Sequence, residues 1–366
     1  MAIVIKDETN KLYEDDDTPH WVEGVRETSV GRVRRIKTKL DKKDIIDGCK
    51  VRWGINRYDY QISPGLYSVG NPDRNSPVLV TANYKLTFDK LRKELSNQNL
   101  WILVIDTKGI NVWCAAGKGT FGTKEIVNRI KKIDLKKVVD HNTIILPQLG
   151  APGVAAHIIT RATGFKVIFG PIRAVDIPEF LSKGLKARPE MRQVKFDFID
   201  RLVLTPMEIV INLKYVPLIL VVFFILNLIN PMGINLAVSF KTAVLNSLPY
   251  VGALFIGAVM LPVLLPYIPF RAFVLKGVVL GVIWSAICIA LNNFFGFSQS
   301  ILVYIANGLL LTTIIAFISL NFTGSTTYTS LSGVALETKK TIPVAIGASA
   351  LGVILIIVEK VLTFLG

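Results

Sequence analysis

The sequence predicts an α/β domain with a Rossmann-like parallel sheet, followed by an all-α transmembrane domain of five helices. Two observations predict this division. Of 42 basic and 27 acidic residues, only 6 and 2 lie beyond Val216, in a half made of long apolar stretches. Upstream of that point, apolar runs typical of strands alternate four times with helical patterns. We expect four regions: a charged N-terminal arm or peripheral hairpin (1–60), the α/β domain (61–200), a juxtamembrane linker (201–215) and the membrane domain (216–366).

The α/β prediction rests on four strand–loop–helix units. Strands are predicted at 78–81, 101–105, 143–146 and 166–169, and helices at 86–96, from Thr123, at 151–163 and at 176–181. In a parallel sheet, the loops that leave the carboxyl ends of the strands meet at one edge, where ligands bind. These loops, at 81–87, 107–122, 147–153 and 170–175, are rich in Gly, Thr, Asn and Gln and have few catalytic acids or bases. This composition favours a large cofactor held by backbone and amide groups.

The membrane prediction rests on five apolar stretches, each near the ~20 residues that cross a bilayer. They lie at 216–230, 242–265, 272–295, 300–321 and 342–365, and the first is expected to recruit residues from about Met207. Their ionisable residues lie near the span ends, where lysine can snorkel. This pattern favours an anchor and docking platform over a transporter.

Basic residues predict the orientation. Arg271 and Lys276 lie in one connection and Lys339 and Lys340 in another, and both connections fall on the side of the basic soluble half. The first 24 residues lack the long apolar core of a secretory signal. We therefore expect a multi-pass protein of the cytoplasmic (inner) membrane, in contact with lipid, with its soluble domain in the cytoplasm. We interpret the excess of basic over acidic residues in the soluble half as a juxtamembrane flank, and we expect no nucleic-acid partner.

The three cysteines, Cys49, Cys114 and Cys288, are too few and too far apart for a disulfide framework or a Cys-x-x-Cys metal site. Cys114 precedes a Gly-x-Gly-x-x-Gly pattern in the stretch 111–122, "NVWCAAGKGTFG". A dinucleotide fingerprint needs its first glycine directly after a strand, and here the predicted strand ends about ten residues earlier. The residues alone leave Cys114 either as a small core residue or as a thiolate near the start of a short helix.

The segment Asn111–Lys118, N-V-W-C-A-A-G-K, resembles the cap-helix motif of the HgcA family at every position. This family comprises the membrane corrinoid proteins of bacterial and archaeal mercury methylation. The segments "VLVTANYKLTFDKLR", "LPQLGAPGVAAH" and "FGPIRAVDIPEF" also resemble loops of that family, and five spans follow. The resemblance extends from about Pro77 to the C-terminus, and residues 1–50 add nothing to it.

This resemblance implies a soluble domain related to the corrinoid-binding domain of the corrinoid iron–sulfur protein large subunit. It implies a cobalamin-type corrinoid bound base-off, with the Cys114 thiolate as the lower axial ligand of cobalt, and methyl transfer to Hg(II) to form methylmercury. Axial ligand identity tunes a macrocycle metal, and a donating sulfur should favour transfer of the methyl group as a carbanion. The sequence lacks the Asp-x-His-x-x-Gly signature of histidine-ligated corrinoid proteins.

The resemblance also assigns the remaining site residues. Asn111 and Trp113 would orient the cap helix, with the rest of the motif against the corrin ring or its amides: Val112, Ala115, Ala116, Gly117 and Lys118. Further candidate contacts lie in the loops after the strands: Thr81, Asn83, Thr87, Gly109, Gln148, Gly150, Gly153, Gly170 and Arg173. For these loop residues, turn formation or helix capping stays open as an alternative.

Turnover requires electrons from a partner protein, because no cysteine cluster in this sequence could hold an iron–sulfur centre to supply them. The family resemblance implies a ferredoxin-like protein with two [4Fe–4S] clusters, and a methyl donor from a methyltetrahydrofolate pathway. The polar stretch Asn321–Tyr328 is a candidate docking surface. Two alternatives remain: a corrinoid methyl carrier with another acceptor, and a membrane-anchored nucleotide-binding sensor or transport subunit that uses Gly117, Gly119 and Gly122 as a phosphate loop.

Overall fold

The computed structural model of the chain describes residues 18–228, 235–323 and 331–365. These residues form two compact units, 18–51 with 55–194 and 52–54 with 195–365. Of the predicted docking stretch Asn321–Tyr328, residues 324–328 lie outside the described residues.

The first unit is built on a mixed sheet of seven strands. The strands are β1 (Val22–Thr28), β2 (Gly31–Ile36), β3 (Gly65–Val69), β4 (Val78–Ala82), β5 (Leu100–Ile105), β6 (Thr143–Leu146) and β7 (Lys166–Phe169). Their order across the sheet is β1-β2-β3-β5-β4-β6-β7. The four strands predicted from the sequence are β4 to β7, and their mutual pairings are all parallel. The expectation of a wholly parallel sheet was wrong, because β3 pairs antiparallel with β5 and β1 antiparallel with β2.

The order in which the chain adds strands to the sheet reverses at β4. The chain runs from β4 to β5 on one side, and then returns to β6 on the other side of β4. The carboxyl ends of neighbouring parallel strands on either side of such a reversal leave a crevice, the usual ligand position in open α/β sheets. The loops after β4, β5 and β6 therefore border the place where a ligand is expected.

Helices cover both faces of the sheet. They are α1 (Lys42–Arg52), α2 (Lys85–Lys93), α3 (Val112–Lys118), α4 (Thr123–Lys132), α5 (Leu135–Val138), α6 (Ala156–Thr163) and α7 (Ile177–Ser182), with a 3-10 helix at Gln148–Gly153. Side chains of β5 alternate between two buried clusters: Trp101, Leu103 and Ile105 pack with Ile126 of α4, whereas Ile102 packs with residues of α2. This period of two is typical of a strand that is buried on both faces.

A buried ion-pair network joins the N-terminal part of this unit to α2. Asp44 of α1 lies 2.9 Å from the Lys85 ammonium and 2.6 Å from the Arg92 guanidinium. Both cations also pair with Asp89, at 2.7 and 2.8 Å. Burial alone raises the pKa of Asp44, but the hydrogen bonds from Arg92 and Lys85 outweigh it and hold that pKa well below its usual range. The described part of the predicted N-terminal arm is thus bound to the sheet domain.

The second unit is helical. Its helices are α8 (Phe198–Leu202), α9 (Thr205–Leu213), α10 (Val216–Leu228), α11 (Leu236–Phe255), α12 (Leu261–Leu264), α13 (Phe273–Ala290), α14 (Asn292–Phe295), α15 (Ile301–Phe322) and α16 (Leu331–Leu365). Within the described ranges, four helices are long and apolar enough to cross a membrane: 236–264, 273–290, 301–322 and 332–365. A fifth span is present if the pair 198–213 and 216–228, bent by 40°, counts as one. The residues of the predicted linker, 201–215, are largely helical.

Small and polar residues connect the apolar helices. A Cβ added at Gly281 of α13 would lie 2.6 Å from the Thr312 Cα of α15, so the two backbones approach closely. The Tyr250 hydroxyl donates to Asn307 Oδ1 at 2.7 Å. Lys276, expected to snorkel, is instead buried, and its ammonium donates to the carbonyls of Leu265 and Ile268.

Candidate functional site

The motif residues form α3, a short helix that follows the loop after β5. Asn111 is its N-cap, and the Asn111 side chain accepts a hydrogen bond from the Cys114 amide at 2.9 Å. Gly119 ends the helix in a left-handed conformation, with φ of +77°. An amide side chain at the N-cap and a glycine after the last turn are typical helix boundaries. The start of α3 is therefore fixed by one of the residues assigned to orienting it.

One face of α3 is exposed and the other is packed. Trp113, Cys114, Gly117 and Lys118 are exposed, and 39% of the Trp113 surface is accessible, which is high for a large apolar ring. Val112, Ala115 and Ala116 lie in the core cluster beneath the helix. A ligand approaching from outside could meet only the first group. The side chains of Val112, Ala115 and Ala116 face the protein interior, so the predicted contact of these residues with the ring stays a prediction that concerns their backbone alone.

Three glycines in and near α3 differ in which atoms an added side chain would contact. At Gly150, an added Cβ would lie 2.5 Å from the ring of Phe121, and at Gly153 it would lie 3.1 Å from the Cα of Ala116. Close packing of the loop 148–153 against α3 therefore explains both residues without a ligand. At Gly117, an added Cβ would meet nothing within 4 Å. Glycine within a helix lowers its stability by about 1 kcal/mol relative to alanine. At Gly117, no neighbouring group of the protein requires the missing side chain, so packing does not explain why glycine is there.

The thiol of Cys114 lies on this exposed face, one turn before Gly117. Cys49 is also exposed, on α1, whereas Cys288 is buried within α13. The alternative of Cys114 as a small core residue is excluded by its exposure. A free thiol, an adjacent aromatic ring and an open glycine on one face make a surface suited to a flat ligand with a soft metal centre.

The loop between β5 and α3 is shaped by polar contacts that the sequence did not reveal. The Asp106 amide donates to Glu125 at 3.0 Å, and the Asp106 carboxylate accepts from the amide and the ammonium of Lys108, at 2.9 and 2.8 Å. Burial raises the pKa of Asp106, but the hydrogen bonds from Lys108 outweigh it and lower that pKa. Asp106 is therefore an ionised part of the loop structure. Its sequence signal was an acidic residue directly after a buried strand.

The other predicted contacts fall into two groups. Thr81 and Asn83, at the end of β4, are 3% and 2% exposed, and Gly170 is buried, with an added Cβ 3.1 Å from Ile145. The side chains of Thr81 and Asn83 and the Cβ position of Gly170 are therefore enclosed by the protein, and contact of these residues with a cofactor stays a prediction. Partly accessible are Thr87, Gly109, Gln148 and Arg173. Gln148 already accepts a hydrogen bond from Arg192 at 2.6 Å.

The glycine pattern does not form a phosphate loop directly after a strand. Gly117 lies within α3, Gly119 is the left-handed residue that ends this helix, and Gly122 is the N-cap of α4. In the dinucleotide fingerprint, the first glycine makes the tight turn between a strand and a helix. Here the first glycine, Gly117, lies inside α3, and the other two follow that helix. None of them makes a tight turn directly after β5.

One cluster of possible metal ligands occurs in the described ranges: His20, Asp41 and Asp44, whose ligand atoms lie within 4.8 Å of one another. The Asp44 carboxylate is already neutralised by Lys85 and Arg92. Two neighbouring cations oppose the binding of a third, so this cluster belongs to the ion-pair network. It does not contribute to the site on α3.

Comparisons with known proteins show similarity over about a third of the chain. A family model described as CO dehydrogenase/acetyl-CoA synthase delta subunit matches residues 53–181. The acetyl-CoA decarbonylase/synthase complex subunit gamma of Methanopyrus kandleri is 35% identical over 129 residues, 35% of this chain and 28% of the relative. Subunit gamma 2 of Methanosarcina thermophila is 37% identical over 125 residues, 32% and 26% of the two chains. The gamma subunit of Archaeoglobus fulgidus is 30% identical over 149 residues, 39% and 31%. The chain thus spans between a quarter and a third of the length of these relatives.

Proposed function

We propose that the sheet domain is a corrinoid-binding methyl-transfer domain and that Cys114 is the lower axial ligand of cobalt. The carrying observation is the exposed face of α3, where Cys114 lies one turn before a glycine whose missing side chain opens onto free space. Similarity to gamma subunits of acetyl-CoA decarbonylase/synthase complexes supports a role in one-carbon chemistry. The resemblance of Asn111–Lys118 to the HgcA cap helix supports the assignment of the thiolate.

Each of these residues of α3 and its N-cap is proposed to have a separate role in binding the cofactor. Asn111 fixes the first turn and orients the Cys114 amide. Cys114 would supply the thiolate, Gly117 would leave room for the macrocycle, and Trp113 and Lys118 would offer it an exposed apolar ring and a cation. When bound, a corrinoid would supply the cobalt-bound methyl group, which a thiolate ligand disposes toward transfer as a carbanion. The buried side of α3 holds this surface rigid against the loop 148–153.

Mercury is the proposed acceptor. Hg(II) is a soft electrophile that accepts a methyl group of carbanion character, the kind of transfer that a sulfur ligand favours. This assignment rests on the resemblance of the α3 motif, since the residues of the site would serve any soft electrophile. Transfer of the methyl group as a carbanion would leave cobalt as Co(III), which needs two electrons to return to Co(I) before it can take up the next methyl group. We infer a ferredoxin-like partner with two [4Fe–4S] clusters as the source of these electrons, because Cys49, Cys114 and Cys288 cannot form a cluster site. The methyl group is proposed to come from a methyltetrahydrofolate pathway.

The apolar helices support a membrane anchor. Four to five helices of the described ranges are long and apolar enough to cross a bilayer. With the basic connections on the inner side, the sheet domain would lie in the cytoplasm, where low-potential electron donors are available. The five-span topology and this orientation are part of the proposal.

The test is the anaerobic absorption spectrum of the full-length protein loaded with cobalamin. The parent is expected to give a spectrum shifted by thiolate ligation, and Cys114→Ala is expected to give the base-off spectrum. Cys49→Ala, which removes the other exposed thiol, is the matched control and should match the parent. A parent that binds no corrinoid would sink the proposal.

The acceptor is tested separately with the reduced, methylated protein. Methylmercury formed from Hg(II), and lost in Cys114→Ala, would support mercury methylation. Methyl transfer to another soft metal ion or a carbon acceptor, without methylmercury, would favour the alternative carrier.

A further inference from the structure

Asn83 lies at the carboxyl end of β4, next to the loop that leads into α3. The parallel pairing of β4 and β5 ends at Ala82 and Ile105, so Asn83 is level with Asp106 on the neighbouring strand. Asn83 is 2% exposed. Its backbone carbonyl accepts from Ile62 at 2.9 Å, which holds the residue in place on its other side. The side chain is thus fully enclosed and points into the protein.

The Asn83 amide is surrounded by the loop 106–110. The oxygen Oδ1 accepts from the backbone amides of Thr107 and Gly109, at 3.0 and 3.1 Å, and lies 2.9 Å from the Thr107 hydroxyl. The nitrogen Nδ2 donates to Gln61 at 3.3 Å and to Asp106 at 3.5 Å. Two backbone donors around one atom identify it as the oxygen. One buried side chain therefore uses both of its polar atoms to hold neighbouring segments.

These contacts stabilise a loop conformation that is otherwise unfavourable. Lys108 and Gly109 both adopt left-handed backbone angles, with φ of +59° and +66°. A left-handed lysine is uncommon and persists only where its surroundings enforce it. Asn83 binds the residues on either side of Lys108, so its oxygen closes this turn. An added Cβ at Gly109 would also lie 3.2 Å from Gln61, which leaves the turn little freedom to shift.

The same turn determines where α3 begins. The Thr107 hydroxyl lies 2.7 Å from the carbonyl of Ile110, and the next residue, Asn111, caps the helix through the Cys114 amide. One path from the buried amide to the thiol thus runs through Thr107, Ile110 and Asn111. A change at Asn83 would reach Cys114 through the start of α3.

We infer that Asn83 is a positioning residue: it holds the loop 106–110 so that α3 presents Cys114 to the cofactor, and it does not touch the cofactor itself. This inference rests on the proposed function for the identity of the ligand. It predicts that loss of the amide loosens the loop and lowers the fraction of sulfur-ligated cobalt, while the corrinoid stays bound.

The experiment compares Asn83→Ala with the parent in the full-length protein. Hydrogen exchange is measured on corrinoid-free protein, and the fraction of sulfur-ligated cobalt on protein loaded with cobalamin. The amides of Thr107 and Gly109 are expected to exchange about fivefold faster or more, since each loses its hydrogen-bond acceptor. The sulfur-ligated fraction is expected to fall at least about twofold at unchanged corrinoid content.

Two further variants serve as rescue and control. Asn83→Asp combined with Asp106→Asn keeps the accepting oxygen and avoids two neighbouring carboxylates, so it should restore both readouts. Thr163→Ala removes a buried hydroxyl of α6 that donates to Ile159 and accepts from Phe165. It should leave the loop's exchange and the cobalt ligation as in the parent. If Asn83→Ala does not fold, Asn83→Ser is measured instead.

Unchanged exchange in the loop would overturn the inference, as would faster exchange with an unchanged sulfur-ligated fraction. Loss of sulfur ligation in Thr163→Ala to the same degree would overturn it too, because the effect would then reflect general destabilisation. A parent that binds no corrinoid would overturn the proposed function and, with it, the link to cobalt. The exchange data would then still decide whether Asn83 holds the loop.

Discussion

Replacing Gly117 by alanine should raise the stability of the protein and weaken its cofactor binding. An added Cβ meets nothing within 4 Å, so the methyl group is accommodated without strain in the cofactor-free protein. Alanine within a helix is favoured over glycine by about 0.5–1 kcal/mol. For a domain of this size, this gain corresponds to a thermal midpoint higher by about 1–4 °C.

The opposite sign is expected for the cofactor. A methyl group inserted where a flat macrocycle is proposed to pack forces a displacement that typically costs about 1–3 kcal/mol. The affinity for cobalamin should therefore fall by between about fivefold and about 150-fold. Thermal unfolding of the cofactor-free protein and cobalamin titration measure the two effects independently.

Two neighbouring glycines serve as controls, because the fold itself requires glycine at each of these positions, for different reasons. Gly153→Ala places a Cβ 3.1 Å from the Cα of Ala116, so it should lower stability as well as binding. Gly119→Ala meets no neighbour, but its φ of +77° strains an L side chain, so it too should lower stability. Cobalamin affinity equal to the parent in Gly117→Ala would refute the assignment of this face to the cofactor.

Three further outcomes are expected. Asn111→Ala removes the side-chain cap of α3 and should cost about 1 kcal/mol of unfolding free energy, with faster exchange of the amide it binds; unchanged exchange would contradict the capping role. Asp44→Asn leaves Lys85 and Arg92 with Asp89 as their one shared carboxylate partner, so one buried positive charge is uncompensated; this should cost about 3–5 kcal/mol of unfolding free energy in chemical denaturation at pH 7. Since the pKa of Asp44 is lowered by folding, the parent should lose this stability as pH falls below about 4, and the variant should show a shallower loss; parallel pH profiles would contradict this reasoning. Gly281→Ala should separate α13 from Thr312 and lower the thermal midpoint of the helical unit in detergent, whereas an unchanged midpoint would contradict close backbone packing there.

Continuous burial made two of the four predicted strands, β4 and β5, easy to recognise from the sequence. All the residues of β4 and β5 are buried, which gives unbroken apolar runs. In β2, only Val33 and Ile36 are buried, and arginines occupy much of the rest. Charged side chains are common on strands near a sheet edge, where they discourage pairing with other chains, and they hide such strands from a hydrophobicity pattern. The mixed character of the sheet was therefore not predictable from apolar runs.

The sequence indicated a short helix within 111–118, and the structure has one, but the sequence did not indicate which of its residues face inward. Small residues at Ala115, Ala116 and Gly117 suit a close approach on either side of a helix, and only the fold shows that the two alanines face inward. Likewise, an asparagine after a strand can face a ligand or a neighbouring loop. Asn83 faces the loop because Thr107 and Gly109 turn their amides toward it. Such choices depend on backbone positions that a sequence pattern does not contain.

The ion-pair network has a consequence for how the protein can be divided for experiments. The family match begins at residue 53, but Asp44 and the hairpin of β1 and β2 lie before it. A recombinant fragment that started at the match would leave Lys85 and Arg92 buried with Asp89 as their remaining carboxylate partner, and would strip a neighbour from β3. Such a fragment should be poorly soluble for reasons unrelated to its cofactor. A fragment that begins at or before residue 18 retains the carboxylate that balances these two cations.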